Sequence, residues 1–380
     1  MPILRTPRKG RVLKIKGRRL SYSYWPTYQG ESRIGLQSVL FALDPWTIIN
    51  ASVKKHCPQA SRNEALAYIE QAQDFYTAAA SAGIAAARPL LLYYCFLNLV
   101  KAFVIHRGAH NTFGQSGHGL RERLNPPGRE LEDAFLIAEK SPNSRGNMQV
   151  FDEFLKVVRG SGLPNDSNFS LRYLLPQVVP GHRLWAEAAN EPERFVVIHE
   201  IEVMEETAAK ILWLRMYLFH DDLTRLGLTH KQLMIDSNLA GTFRTVKTGR
   251  SVDGRKLVCF EQIATTTYHQ RPSDVLHQLV GGVRQFLWAT VATVPPYRRY
   301  YLYLCPSAER GELLPQVLSI YAITFYLGSI TRYRPHHFDG IVDNSYGPRI
   351  EEFISGQPLQ FIYLMASEFA LQDVTKPSIV

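Results

Sequence analysis

The chain has 380 residues, of which 46% are hydrophobic, 20% charged and 11% aromatic, a balance that excludes a disordered protein. No uninterrupted apolar run of about 18 residues exists; the nearest, residues 78–100, is broken by Arg88, Pro89 and Asn98. The basic N-terminus has no apolar stretch behind it, so a cytoplasmic protein without membrane contact is expected.

The formal net charge of +9 is uneven. Residues 1–19 carry eight Lys or Arg and no acid, leaving 35 basic against 34 acidic residues in the rest. A basic arm on a near-neutral body can track a phosphate backbone, with Arg8, Lys9 and Arg11 as its contacts. The alternation in Arg11-Val-Leu-Lys-Ile-Lys-Gly also suits an edge strand.

Beyond the arm, Tyr22-Ser-Tyr-Trp-Pro and Asp44-Pro-Trp read as aromatic loops or extended segments. A helix begins at Ser61, where Ser61 and Glu64 have capping-box spacing. Pro89 suits the first turn of a second helix, Leu90 to His106, apolar nearly all round and therefore central to a core. Residues 108–146 are loop-like, with a short helix expected near Glu130–Glu139. A further helix, Gln149–Val158, stops at Gly160.

The segment to Pro192 is rich in Pro, Gly and Asn and leads into a mixed part. There Phe195–Ile201 reads as a strand, Lys210–Phe219 as a strand or short helix, and Asp253-Gly254 as the turn of a hairpin. Helical pattern returns at Ser273–Ala292, followed by a strand at Arg299–Leu304 and helices at Leu313–Arg332 and Pro358–Leu371. The fold class is α+β, a mainly helical core of N- and C-terminal helices around a β-containing middle. Four parts are expected: an arm and extended segment (1–45), an N-terminal helical part (46–160), a mixed part (161–305) and a C-terminal helical part (306–380).

Two constellations carry chemistry. Arg332-Tyr-Arg334-Pro-His336-His337 closes an apolar helix. Cations at a helix C-terminus are favoured by the dipole, by about 0.3–1 kcal/mol, which explains Arg332 and Arg334 but not two adjacent histidines. Arg332 with His337 or His336 suits metal-free RNA cleavage: a histidine moves the proton and the arginine holds the phosphorane charge. The second constellation is Asn98 and Lys101, three apart on an otherwise apolar helix, with Gly117-His118-Gly119 downstream. A buried amide and a nearby ammonium need partners or a ligand.

No zinc-ligand set or phosphate-cradling glycine loop is present, and the four scattered cysteines suggest no disulfide framework. Neither a metal nor another cofactor is expected.

The runs Arg88-Pro-Leu-Leu-Leu-Tyr-Tyr-Cys-Phe-Leu-Asn-Leu-Val-Lys-Ala, Gly117-His-Gly-Leu and Leu327-Gly-Ser-Ile-Thr-Arg-Tyr-Arg-Pro-His together resemble the bacterial YaaC-like family, over roughly residues 60–120 and 310–370. That resemblance implies a fold and a bacterial source, with no catalytic residue to carry over. The Arg332-x4-His337 spacing resembles HEPN nucleases, helical dimers that cleave RNA without metal. Here Tyr333 replaces the usual polar residue and Pro335 interrupts the motif.

Two functions follow as expectations. One is a nucleic-acid-directed protein, RNA favoured: a metal-independent ribonuclease in stress or antiphage defence, working as a homo-oligomer or with an operon partner. The other is a non-catalytic module binding a nucleotide or partner protein through Asn98, Lys101 and His118, with Arg334 beside it.

Overall fold

The computed structural model describes residues 4–30, 33–81, 85–124, 131–142 and 147–378. The fold is α+β and resolves into two units. One comprises residues 42–191 and 309–370, the other residues 1–41, 192–308 and 371–380.

The first unit is mainly helical. Its hub is the helix Arg88–His106, packed antiparallel to Arg62–Ala80 and against Gln316–Tyr333 and Gly347–Ala370. The N- and C-terminal helices thus share one core. Tyr93 meets Phe325 edge-on at 5.2 Å, and Phe96 stacks on Phe361 at 4.0 Å. Among the described residues Arg88–His106 alone is long and apolar enough to cross a membrane, but 78% of its most apolar window is covered by the rest of the protein. Its apolar surface is therefore already used by the bundle.

Gly328 allows the close approach of Gln316–Tyr333 to the hub. A Cβ there would lie 2.8 Å from the Cβ of Tyr93 and 3.1 Å from the carbonyl of Pro89. The buried guanidinium of Arg349 donates to the carbonyls of Pro180, Leu175 and Val178, tying Gly347–Ala370 to the chain before His182.

Three sequence expectations are corrected in this unit. Asp44-Pro-Trp opens a helix, Pro45–His56: Asp44 accepts from the Trp46 amide at 3.1 Å, and Pro45 occupies the first turn. Ser61 makes no side-chain cap on Arg62–Ala80, and the Glu64 carboxylate accepts instead from the Phe113 amide (2.9 Å) and the Thr112 hydroxyl. The helix expected near 130–139 is instead a strand, Ala134–Ala138, with residue 130 outside the described residues. Ala134, Leu136 and Ala138 alternate inward with period two, and the strand lies between Leu120–Leu124 and Ser167–Ser170.

The second unit is built on an antiparallel sheet of Glu200–Glu206, Ile211–Phe219, Arg255–Gln262 and Phe243–Val246, edged by Arg11–Val12. Asp253 (φ 49°) and Gly254 (φ 77°) make the hairpin turn. A smaller sheet pairs Phe195–Ile198, Arg298–Tyr303 and Leu287–Val291. The expected helix over 273–292 therefore ends at Arg284, and Leu-Trp-Ala-Thr-Val, rich in strand formers, pairs with Arg298–Tyr303. All four cysteines are buried thiols outside any disulfide.

The first basic residues are folded onto this sheet. The Arg8 amide donates to both oxygens of the buried Glu261, and its guanidinium reaches the carbonyls of Gln262 and Ile263 over the Trp213 ring. Arg11 pairs with Glu205, and Arg19 with Glu200 and Glu202. Lys9, Lys14, Lys16 and Arg18 stay exposed.

Candidate anion site

Tyr94, Asn98 and Lys101 fall four and three residues apart, on one face of the Arg88–His106 helix. They meet a matching row on Arg62–Ala80. Phe75 stacks on Tyr94 with centroids 5.5 Å apart, Gln71 accepts from the Asn98 amide at 3.2 Å, and the Lys101 ammonium lies 5.3 Å from the centre of the Tyr68 ring. Asn98 is thus a buried amide with a partner. Lys101 is half-buried and, among the described residues, has no carboxylate within ion-pair distance; burial lowers its pKa, against the pull of nearby Glu64.

His118 arrives from the loop after the hub. Ser116–Gly117 pairs in parallel with Met148–Gln149, the Phe151 amide donates to the His118 carbonyl, and Gly119 sits at φ 76°. A Cβ on Gly119 would lie 3.0 Å from the Cβ of Gln149 and 3.1 Å from the Phe151 nitrogen, so the position requires glycine. The glycines on either side hold an exposed histidine on a fixed bend, with Nδ1 2.5 Å from the Tyr93 hydroxyl. Tyr93 is 5% exposed. Partial burial of the ring, then the charges of Lys101 and Arg332, lower the His118 pKa below the usual histidine value.

The two segments singled out in the sequence therefore meet. Arg332, on the last turn of Gln316–Tyr333, donates to the Tyr94 hydroxyl at 2.8 Å and lies over the Tyr333 ring. The charges of Lys101 and Arg332 both act on His118, and among the described residues no carboxylate forms an ion pair with either cation.

Other sequence candidates are held elsewhere. Arg334 pairs with Glu122 at 3.0 Å, and Ser329 bonds the second oxygen of the same carboxylate. His337 bonds the Tyr326 hydroxyl through Nε2 at 3.2 Å; burial, then Arg334 and His336, lower its pKa. His336 is exposed. Pro335 starts a new helix, Pro335–Val342, so Arg332 and His337 stand on different helices with different partners. Arg8, Lys9 and Arg11 belong to the other unit, where Arg8 and Arg11 are engaged as described.

Sequence reasoning gives no role to Tyr93 and Tyr94, which open the run that holds Asn98 and Lys101, and misses Gln71. The signal for Tyr94 was present, since it lies on the helical face of Asn98 and Lys101. Tyr93 required knowing that Gly117–Gly119 folds back onto the hub. Among the described residues no cluster of three or more His, Cys, Asp or Glu could hold a metal ion.

No curated protein and no solved structure matches the chain. A family model described as YaaC-like Protein matches residues 32–369. That match spans both units and all the site residues, and the chain belongs to the YaaC-like family.

Proposed function

We propose that this protein recognises a phosphate group, on a nucleotide or RNA, at Lys101, His118 and Arg332. The observation that carries the reading is that Arg332 and His118 meet the neighbouring Tyr94 and Tyr93 of one helix, within reach of the Lys101 charge, while among the described residues neither cation forms an ion pair with a carboxylate. Elsewhere the arginines commonly have acids: Arg11, Arg19, Arg215, Arg244, Arg250, Arg255 and Arg334 each pair with Asp or Glu. Cations held together without acids repel one another, and an anion relieves that repulsion. Asn98 with Gln71 and Tyr94 with Phe75 stiffen the two helices beneath the site.

This is the binding-module reading. Metal-independent RNA cleavage by Arg332 with His337 would need both groups on one phosphate, whereas their bonds go to Tyr94 and Tyr326. One experiment addresses both. Labelled single-stranded RNA in EDTA is expected to bind the protein and remain intact, with binding weakened about tenfold or more by Lys101→Met and unchanged by His337→Ala. RNA binding that ignores Lys101→Met would overturn the proposal, and cleavage lost in His337→Ala would establish the nuclease reading instead.

A further inference from the structure

We propose that the hairpin Lys14–Arg19 of the sheet-based unit is a contact surface for the phosphate backbone of a nucleic-acid strand, separate from the anion site.

The hairpin grows from the edge strand Arg11–Val12. Leu13 and Leu20 are buried at its root, where the Leu13 amide donates to the Val203 carbonyl at 2.7 Å and the Leu20 amide to the Leu13 carbonyl at 3.2 Å. Lys14 then stands opposite Arg19 and Ile15 opposite Arg18, and Lys16 (φ 51°) and Gly17 (φ 78°) make the two-residue turn. A tight turn on an anchored root fixes the tip before a partner arrives, which lowers the ordering cost of binding.

Charge divides the tip from the root. On the adjoining strand Glu205 accepts from Arg11 and the Tyr268 hydroxyl, and Glu202 from Arg19, Arg250 and the Tyr217 hydroxyl. Glu200 pairs with Arg19 and Arg250. These acids are committed to the root. Lys14, Lys16 and Arg18 are exposed and form no ion pair among the described residues.

Cations clustered without acids suit a polyanion, because each phosphate they neutralise releases counterions. The neighbouring side chains select the kind of polyanion. An anionic bilayer rewards Trp, Phe or Leu beside the cations, and protein interfaces are depleted in Lys and enriched in aromatics. Between Leu13 and Leu20 the hairpin holds no aromatic residue, and its one large apolar side chain, Ile15, is half-buried.

The test follows the anisotropy of labelled single-stranded RNA, and of DNA of the same sequence, on the full chain across salt concentrations. The hairpin variant combines Lys14→Gln, Lys16→Gln and Arg18→Gln. A control, Lys54→Gln with Lys55→Gln and Lys231→Gln, removes the same charge from other exposed positions. The hairpin variant should lose about tenfold or more in affinity for both strands, and its slope of log affinity against log salt should fall by about 2, at about 0.7 per phosphate contact. The control should stay near wild type, and adenosine monophosphate should bind the hairpin variant as it binds wild type. Unchanged RNA affinity in the hairpin variant, or an equal loss in the control, would overturn the inference and leave the anion site standing. So would self-association of the variant with RNA binding intact, the behaviour of lysines that only guard a strand edge. Hairpin-dependent binding to phosphatidylserine vesicles with none to nucleic acid would also overturn it. RNA binding that falls in the hairpin variant but not in Lys101→Met would instead overturn the anion site and support this surface.

Discussion

Glu261→Ala is expected to destabilise the sheet-based unit by about 3–5 kcal/mol, the largest stability effect proposed for this chain. The carboxylate is fully buried and accepts from three directions: the Arg8 amide, the Arg215 guanidinium at 2.9 Å and the Arg244 guanidinium at 2.7 Å. Removing it leaves two largely buried cations facing each other and releases the first residues from the sheet. Denaturant unfolding should show a lower midpoint, and trypsin should cut sooner at Arg8, Lys9 and Arg11. A midpoint shift below about 1 kcal/mol would contradict this account of the arm.

The same group sets an acid sensitivity. Burial alone would raise the Glu261 pKa, but Arg244, the Arg8 amide and Arg215 outweigh it, so the folded value is lowered. A lowered carboxylate contributes stability above its unfolded pKa, about 4.3. That contribution is lost as pH falls through the folded value. Wild-type stability should therefore decline below about pH 4.3, and part of that decline should be missing in the variant.

The second large effect falls on the anion site. Each charged hydrogen bond to the ligand contributes about 1.5–3 kcal/mol, so Lys101→Met or Arg332→Ala alone should weaken phosphate binding about 10- to 100-fold. The double variant should bind no better than a surface without the site. The two losses should not add, because both charges act on one phosphate and on the same histidine. Arg332 is exposed, so its loss should leave the denaturation midpoint unchanged within about 0.5 kcal/mol. A drop in stability matching the drop in binding would make Arg332 a structural residue instead.

Local pattern made the helices legible, and chain-distant partners decided what it left open. The apolar girth of Arg88–His106 announced a core helix, and Asp253-Gly254 announced its turn. Short apolar runs such as residues 134–138 and 287–291 fit both periods, and only their pairing partners make them strands. Of the site, Asn98, Lys101, His118 and Arg332 stood out as polar groups in apolar or glycine-bound settings. Their assembly was not visible. It depends on Gly328 bringing the Gln316–Tyr333 helix against Tyr93, a contact more than 200 residues apart in sequence. The N-terminal charge was legible too, but not its acids, because Glu205 and Glu261 come from strands far along the chain.

The central claim, that Lys101, His118 and Arg332 form one anion site, is tested most directly by the titration of His118. Its imidazole resonance, assigned by comparison with His118→Gln, can be followed by NMR with and without saturating adenosine monophosphate. In the free protein the midpoint should lie below the ordinary histidine value of about 6.5, lowered first by partial burial and then by Lys101 and Arg332, and should rise toward it in Arg332→Ala. Bound phosphate should raise the midpoint in the wild type, because an anion favours the protonated ring. A His118 midpoint indifferent to both the ligand and Arg332→Ala would contradict the account.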